Sequence, residues 1–247
     1  MEKAWLKQYP KGIPSEINPD EYDSLVDLFK QSVGQFRPLP AYSNMGSTLT
    51  FDEVDQESRA FAAFLQSKLL VKKGDRIALM MPNLLQYPIA LFGAMRAGLT
   101  VVNVNPLYTS TELSFQLKDS GAETIVILSN FAKTLQDVIT ETPVRQVIVT
   151  DIGDMFQGFK GPFINFMVKR VKKMVPKFHL EGAIPFKDVL NTGRHLILEE
   201  PFLRGDDIAF LQYTGGTTGV SKGAELTHGN ICANVSQVEQ WIGSNIE

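Results

Sequence analysis

Cysteine is nearly absent from the 247-residue chain: Cys232 is the only one. It cannot close an internal disulfide and offers no thiolate cluster. That excludes a disulfide-stapled secreted scaffold and a cysteine-based metal fold, and it points to a reducing compartment. Long apolar runs are lacking too. Nowhere do about 18 apolar residues follow one another, and the N-terminal stretch MEKAWLKQYPKGIPSEINPDEY carries no apolar core ahead of a small-residue cleavage site. Neither a membrane span nor a signal peptide is therefore expected, and the expected location is cytoplasmic. Nor is there an excess of positive charge: 24 Lys and Arg against 27 Asp and Glu leave a net charge of −3, so no nucleic-acid partner held by bulk charge is expected. Internal repeats and low-complexity segments are absent.

What is there reads as an alternation of elements. Ser24 to Phe36 places Leu25, Leu28, Phe29, Val33 and Phe36 at helical spacing, ended by Pro38 and Pro40. Thr50-Phe51-Asp52-Glu53 fits a capping box opening a helix that carries Val54, Phe61, Ala62, Leu65 and Leu69. Ile77 to Met81, stopped by Pro82-Asn83, reads as a strand buried on both faces. The spacing then predicts a helix over 86–97, a strand over 100–104, a second capping box at Thr109 and Glu112 with its helix ending at Gly121, a strand over 125–128, a helix over 130–139 and a strand over 147–149. Strand and helix alternating in steps of about 25 residues are the pattern of a doubly wound parallel sheet. The pattern breaks for about 50 residues, a length too great for one ordinary loop, and resumes at the strand candidate Ile208 to Leu211.

Directly after it stands Tyr213-Thr214-Gly215-Gly216-Thr217-Thr218-Gly219-Val220-Ser221-Lys222-Gly223-Ala224. Glycines let a backbone approach a ligand, threonines add hydroxyls and a lysine adds a point charge: these are the parts of a phosphate cradle. The stretch is not a Walker A loop, because Ser221 precedes and Gly223 follows Lys222, and it does not read GxGxxG. A glycine-rich turn with no ligand is the plainer alternative.

YTGGTTGVSKG resembles the phosphate-binding signature of the AMP-forming adenylate-forming superfamily, which includes acyl-CoA synthetases, firefly luciferase and peptide-synthetase adenylation domains. LTFDEVDQESRAFAAFLQ from Leu49, GDRIALMMPNLLQYPIALFGAMRAG from Gly74 and VVNVNPLYTSTEL from Val101 resemble its upstream motifs in order, so the likeness covers nearly the whole chain. MMPNLLQYPIALFGAMRAG and the double glycine look most like bacterial long-chain fatty acid CoA ligases, with Ser221 in place of the usual proline. The resemblance implies an α/β fold: an incomplete N-terminal domain of the acyl-adenylate-forming type, with a largely parallel sheet flanked by helices. It divides the chain into an N-terminal extension over 1–23 and a partial AMP-binding domain over 24–247, with an insert at about 155–180 and no C-terminal domain.

The implied reaction joins a fatty acid to CoA through acyl-AMP, with ATP as substrate and magnesium as cofactor. Thr214, Gly215, Gly216, Thr217, Thr218 and Lys222 would hold the β and γ phosphates within an ATP-binding stretch running from Tyr213 to Ala224. Thr214 is the candidate for a hydroxyl near magnesium. The family's catalytic groups are expected beyond Glu247, so the chain reads as a fragment that is inactive alone, with the strand from Ile208 lacking later partners. His228 and Asn230 match a family feature after the loop; the other reading of His228 is a partly exposed residue in the first turn of a helix running to Trp241.

Between Asp154 and Glu181 lie Lys160, Lys169, Arg170, Lys172, Lys173 and Lys177, and no acid. On a helix over 159–177, Phe163, Ile164, Met167, Val168, Val171, Met174 and Val175 share one face and Lys169, Arg170, Lys172 and Lys173 the other, with Phe166 on the polar side. Such a helix either lies on an anionic membrane surface, through those four cations with Phe163 and Met167, or packs its apolar face on the domain. The first case gives a peripheral location at the inner face of the membrane. Two alternatives to a ligase part remain: a non-catalytic lipid-surface module, and an adenylation unit for another carboxylate such as an amino acid.

Overall fold

The computed structural model describes residues 4–10, 12–214 and 221–242. After the N-terminal segment come α1 (Leu25–Phe36), β1 (Pro40–Asn44), β2 (Ser47–Thr50), α2 (Phe51–Leu69), β3 (Arg76–Met80), α3 (Gln86–Arg96), β4 (Thr100–Asn103), α4 (Ser110–Ser120), β5 (Thr124–Leu128), α5 (Ala132–Gln136) and β6 (Gln146–Thr150). The second part runs α6 (Lys160–Phe166), β7 (Ile184–Pro185), α7 (Phe186–Gly193), β8 (Ile208–Thr214), β9 (Lys222–Thr227) and α8 (His228–Ile242).

Local chemistry sets several of these boundaries. Both capping boxes form: Thr50 Oγ1 accepts from the Glu53 N–H while Glu53 accepts from the Thr50 N–H, and Thr109 with Glu112 repeats the pattern. Ser24 caps α1 through the Asp27 N–H. Met45 and Gly46, both left-handed, make the tight turn between antiparallel β1 and β2.

Among the described residues seven strands pair in the order β7-β6-β5-β3-β4-β8-β9, parallel throughout except for the antiparallel β8 and β9. The expected largely parallel sheet flanked by helices is therefore present. Its two faces are covered by different helices. Phe29 and Val33 of α1, Phe61 and Leu65 of α2, Ile89 of α3, Phe186 and Leu190 of α7 and Cys232 of α8 belong to one buried core. Leu113 and Leu117 of α4 with Ala132 and Leu135 of α5 belong to the other. Such two-sided cover is why the central strands are uninterrupted apolar runs. α7 lies so close to α2 that a Cβ on Gly193 would stand 1.9 Å from the Ala60 carbonyl oxygen, a separation that demands glycine.

Four expectations are corrected. The segment read as a helix over 130–139 is α-helical only from Ala132 to Gln136, because the branched Val138-Ile139-Thr140 run disfavours helix and Val138 turns into the core. The long break after β6 contains β7 and α7. β8 does not lack a later partner: β9 returns alongside it. The basic segment is helical only over 160–171, its last turn is a π-helix from Met167 to Val171, and Lys173 follows in the left-handed region at φ 50°. The N-terminal segment lies against α8, where Tyr9 meets Trp241 edge-on at 5.1 Å and Ser236 donates to Glu21.

Candidate functional site

β8 and β9 form a hairpin whose strands bracket the glycine and threonine loop; Gly215, Gly216, Thr217, Thr218, Gly219 and Val220 themselves lie outside the described residues. In the antiparallel register Thr214 stands directly opposite Lys222, so the two side chains emerge on one face with Cβ atoms about 5 Å apart. Ser221 Oγ donates to the Thr214 carbonyl at 2.8 Å and closes the neck of the loop. Among the described residues neither the Thr214 hydroxyl nor the Lys222 ammonium has a partner, and both residues are exposed, as is Ala224.

Tyr213 points the other way. Its ring packs under Gly223, where a Cβ would come within 3.0 Å of it. Its hydroxyl donates to Asp119 of α4 at 2.5 Å. Burial raises the Tyr213 pKa, and the Asp119 carboxylate raises it further, so the phenol keeps its proton. The Tyr213 side chain therefore braces the hairpin, while its backbone leads into the loop. A second brace runs from the first turn of α3 across the ends of β4 and β8: Tyr87 Oη donates to Asn103 Oδ1 at 2.9 Å, and Asn103 Nδ2 reaches Gln212 Oε1 at 3.4 Å. Neither Asp119 nor this run of hydrogen bonds was legible in the sequence, because the partners meet only where α3 and α4 pack beside the strand ends.

His228, partly exposed in one of its two readings, is 2% exposed. Its backbone N–H donates to the Asp207 carbonyl, and its Nδ1 accepts the Leu25 N–H at 3.3 Å, so the imidazole ties α8 to the first turn of α1. Burial depresses its pKa to about 4; the Asp207 carboxylate opposes that shift and Lys73 reinforces it. The ring is neutral at neutral pH and structural in position. Asn230 joins Thr227 in a reciprocal cap of α8.

The faces expected for the basic segment do not hold. Asn165 turns inward and bonds Gly153 and Asp154, Ile164 packs on the core, and Lys169 pairs with Asp151. Gly161 permits this close seat, since a Cβ there would stand 2.4 Å from the Gly153 carbonyl oxygen. Phe163 and Phe166, placed on opposite faces of a regular helix, are both exposed, at 62% and 57%, as is Phe159 at 94%. Met167 is half-buried. The α-helix is short and passes into a π turn, so its buried side is the narrow Gly161, Ile164 and Asn165 stripe rather than the broad apolar arc.

A parallel sheet covered on both faces, with a hydroxyl and an ammonium side by side beyond the carboxyl end of one strand, defines an α/β domain of the class that takes anionic ligands at its strand ends. The chain belongs to the AMP-binding enzyme family, whose model matches residues 29–245. It is 57% identical over 243 residues to a long-chain-fatty-acid–CoA ligase of Escherichia coli O157:H7, covering 98% of this chain and 43% of that protein. A long-chain-fatty-acid–CoA ligase of Haemophilus influenzae is 54% identical over 242 residues, again 98% of this chain and 43% of the relative. Among solved structures, a long-chain-fatty-acid-CoA ligase from Archaeoglobus fulgidus superposes with a TM-score of 0.72 at 26% identity, over 96% of this chain and 42% of that one. The chain thus spans less than half the length of these relatives.

Proposed function

We propose that this chain is part of a long-chain-fatty-acid–CoA ligase and supplies its ATP phosphate-binding loop. The observation that carries the reading is the β8–β9 hairpin: it presents the exposed Thr214 and Lys222 directly opposite one another, within a chain 57% identical along nearly its whole length to such a ligase. The reaction is attack of a fatty acid carboxylate on the ATP α-phosphorus, releasing diphosphate, followed by displacement of AMP by the CoA thiol. An anion attacking an anionic phosphate is helped chiefly by positioning and charge neutralisation. In this reading Lys222 neutralises the departing phosphates, and Gly215 to Thr218 offer backbone N–H groups and hydroxyls. An amino-acid adenylation unit and a non-catalytic surface module have less support, since neither explains the similarity to fatty acid ligases.

Magnesium fits the site as one hydroxyl's worth of coordination. Thr214 Oγ1 is a hard oxygen, and among the described residues it has no partner and no group of three or more His, Cys, Asp or Glu could hold a metal ion. Thr214 would contribute one ligand to an ion carried mainly by the nucleotide's phosphates, whose charge the ion would help to neutralise.

The exposed Phe159, Phe163 and Phe166 beside Arg170, Lys172 and Lys173 also support peripheral contact with an anionic membrane surface. Lys169 and Met167 contribute less than the sequence suggested, being paired and half-buried. No described helix is long and apolar enough to cross a membrane. Sedimentation with anionic vesicles that is lost as salt rises is expected, and equal binding to neutral vesicles would refute the contact.

The test of the main reading is Lys222→Ala in the ligase that carries this chain. Removing one preorganised positive group should slow fatty-acid-dependent exchange of labelled diphosphate into ATP by about 10²-fold. An unchanged rate would remove Lys222 from the phosphate site.

A further inference from the structure

Where the short helix α6 runs out, the chain builds a cleft that neither the phosphate loop nor a flat membrane contact accounts for. Lys169, Arg170, Lys173 and Lys177 line it, over a floor of Val175, Pro176 and Phe178, and its volume is 690 Å³. Three features of this segment are unusual, and they coincide. The helix ends in a π turn from Met167 to Val171, a costly irregularity that recurs at functional sites. Lys173 then adopts φ 50°, a left-handed conformation that a side chain with a Cβ disfavours. Finally, Arg170, Lys173 and Lys177 have no ion-pair or hydrogen-bond partner among the described residues, and the sequence from Met155 to Leu180 contains no acid to supply one. Lys169 is the exception, held by Asp151 at the end of β6.

The cleft is also held in shape. Asn130 donates to the Met174 carbonyl at 3.1 Å, and the His179 N–H donates to Gln136 at 2.7 Å, so the loop is tied at both ends to the segment after β5. A preformed wall of like charges is repulsive when empty and relaxes when an anion enters, and the ordering cost that a flexible basic tail would meet on binding is reduced here.

We propose that this cleft is a phosphomonoester-binding site, taking its phosphate from a lipid headgroup or from a small soluble molecule. A monoester carries close to two negative charges at neutral pH and three acceptor oxygens, against one charge for a diester. Arg170 offers a planar fork and Lys173 and Lys177 offer point charges, the mixture suited to such a group. The site depends on neither the ligase assignment nor flat membrane contact, since a diffuse basic surface responds to charge density alone and a cleft responds to the group.

Binding of glycerol 3-phosphate, of dioctanoyl phosphatidic acid and of dioctanoyl phosphatidylglycerol is measured by calorimetry on the chain. Vesicles of phosphatidic acid or phosphatidylglycerol are compared at matched surface charge. Saturable one-to-one binding of a monoester is expected, with Arg170→Gln and Lys177→Gln each weakening it about fivefold, the equivalent of ~1 kcal/mol per cation. Lys173→Gly removes a charge while keeping the left-handed backbone, so it should weaken binding without lowering the melting temperature. Should it impair folding, the other two variants decide the question. Binding of glycerol 3-phosphate that competes with the lipid identifies a soluble source; preference for phosphatidic acid vesicles without such competition identifies a headgroup. Equal binding of monoester and diester at matched charge, absence of saturation, or three variants that bind as the parent chain does would overturn the proposal.

Discussion

Two sets of cations in this molecule have opposite fates. Inside the fold Arg96, at the end of α3, is almost wholly buried and fully engaged: it donates to Asp55 and Glu200 at 2.7 Å and to Ser58 at 3.1 Å, and Glu200 in turn holds Lys30. Burial opposes ionisation of Glu200, yet Lys30 and Arg96 outweigh it and hold its pKa below the usual carboxylate value. Lys73, though partly exposed, also pairs with Asp207, whose backbone carbonyl accepts the His228 N–H. Lys222, Arg170, Lys173 and Lys177, by contrast, have no partner among the described residues. A cation whose charge is answered within the fold stabilises the fold, whereas one left unanswered on a held framework is available to an anion from outside. The difference lies in which acids the topology brings near, not in residue type.

The largest loss is expected at Arg96. Arg96→Met removes the shared partner of Asp55 and Glu200 and should cost about 3 kcal/mol or more in urea unfolding, the scale for orphaning one side of a buried pair. The same change at Lys222 should leave unfolding within about 0.5 kcal/mol, as for an exposed unpaired side chain. Equal losses at the two positions would erase the distinction.

His228 comes next. A histidine whose folded pKa is depressed from 6.5 to about 4 favours the folded state fully while it is neutral, above pH 6.5. As the pH falls through that window the unfolded chain takes up the proton first, so stability declines, by at most about 3 kcal/mol near pH 4. Protonating Nδ1 would also remove the acceptor of the Leu25 N–H. The thermal midpoint should drop between pH 6.5 and 4.5, and His228→Gln should flatten that segment of the curve. An unchanged slope in the variant would assign the loss to carboxylates instead.

Tyr213 stands on the border between the two sets, since it supports the loop without facing a ligand. Tyr213→Phe leaves Asp119 without its donor and should cost about 1.5 kcal/mol, the lower end for a hydrogen bond to a charged group because Asp119 is exposed. A change confined to nucleotide affinity, with stability untouched, would instead make the phenol part of the site.

The sequence carried most of the framework because its signals are local. Thr50 with Glu53 and Thr109 with Glu112 announce helix starts within four residues, and an apolar run such as Ile77 to Met80 announces a strand covered on both faces. What it did not carry depends on distant partners. The burial of His228 is decided by Leu25, some two hundred residues away in sequence. The outward turn of both Phe163 and Phe166 is decided by Gly161 seating on Gly153 and by Asn165 reaching Asp154. β9 was hidden because its exposed Lys222-Gly223-Ala224-Glu225 stretch has no apolar alternation, and only its pairing with β8 makes it a strand.

The smallest expected effect is the most discriminating, because it separates a residue kept for the fold from one kept for a ligand. Lys173 holds φ 50° with a charge that no acid among the described residues answers; the left-handed backbone lets the Met174 N–H bond the Val168 carbonyl and close the helix, a bond that needs this backbone but not the lysine side chain. Glycine at this position relieves the left-handed strain, of order 1–2 kcal/mol, against a loss of about 0.5–1 kcal/mol from the freer unfolded chain. Relief of repulsion from Arg170 and Lys177 adds a little more. Lys173→Gly should therefore raise stability by about 0.75 kcal/mol, within a range of about 0–1.5 kcal/mol, read as a small rise in the urea midpoint with an unchanged slope. A fold that becomes more stable when a residue is removed, while phosphomonoester binding weakens, is one in which that residue serves the ligand. Were Lys173→Gly to destabilise the chain instead, the lysine would belong with Arg96 among the cations spent on the fold.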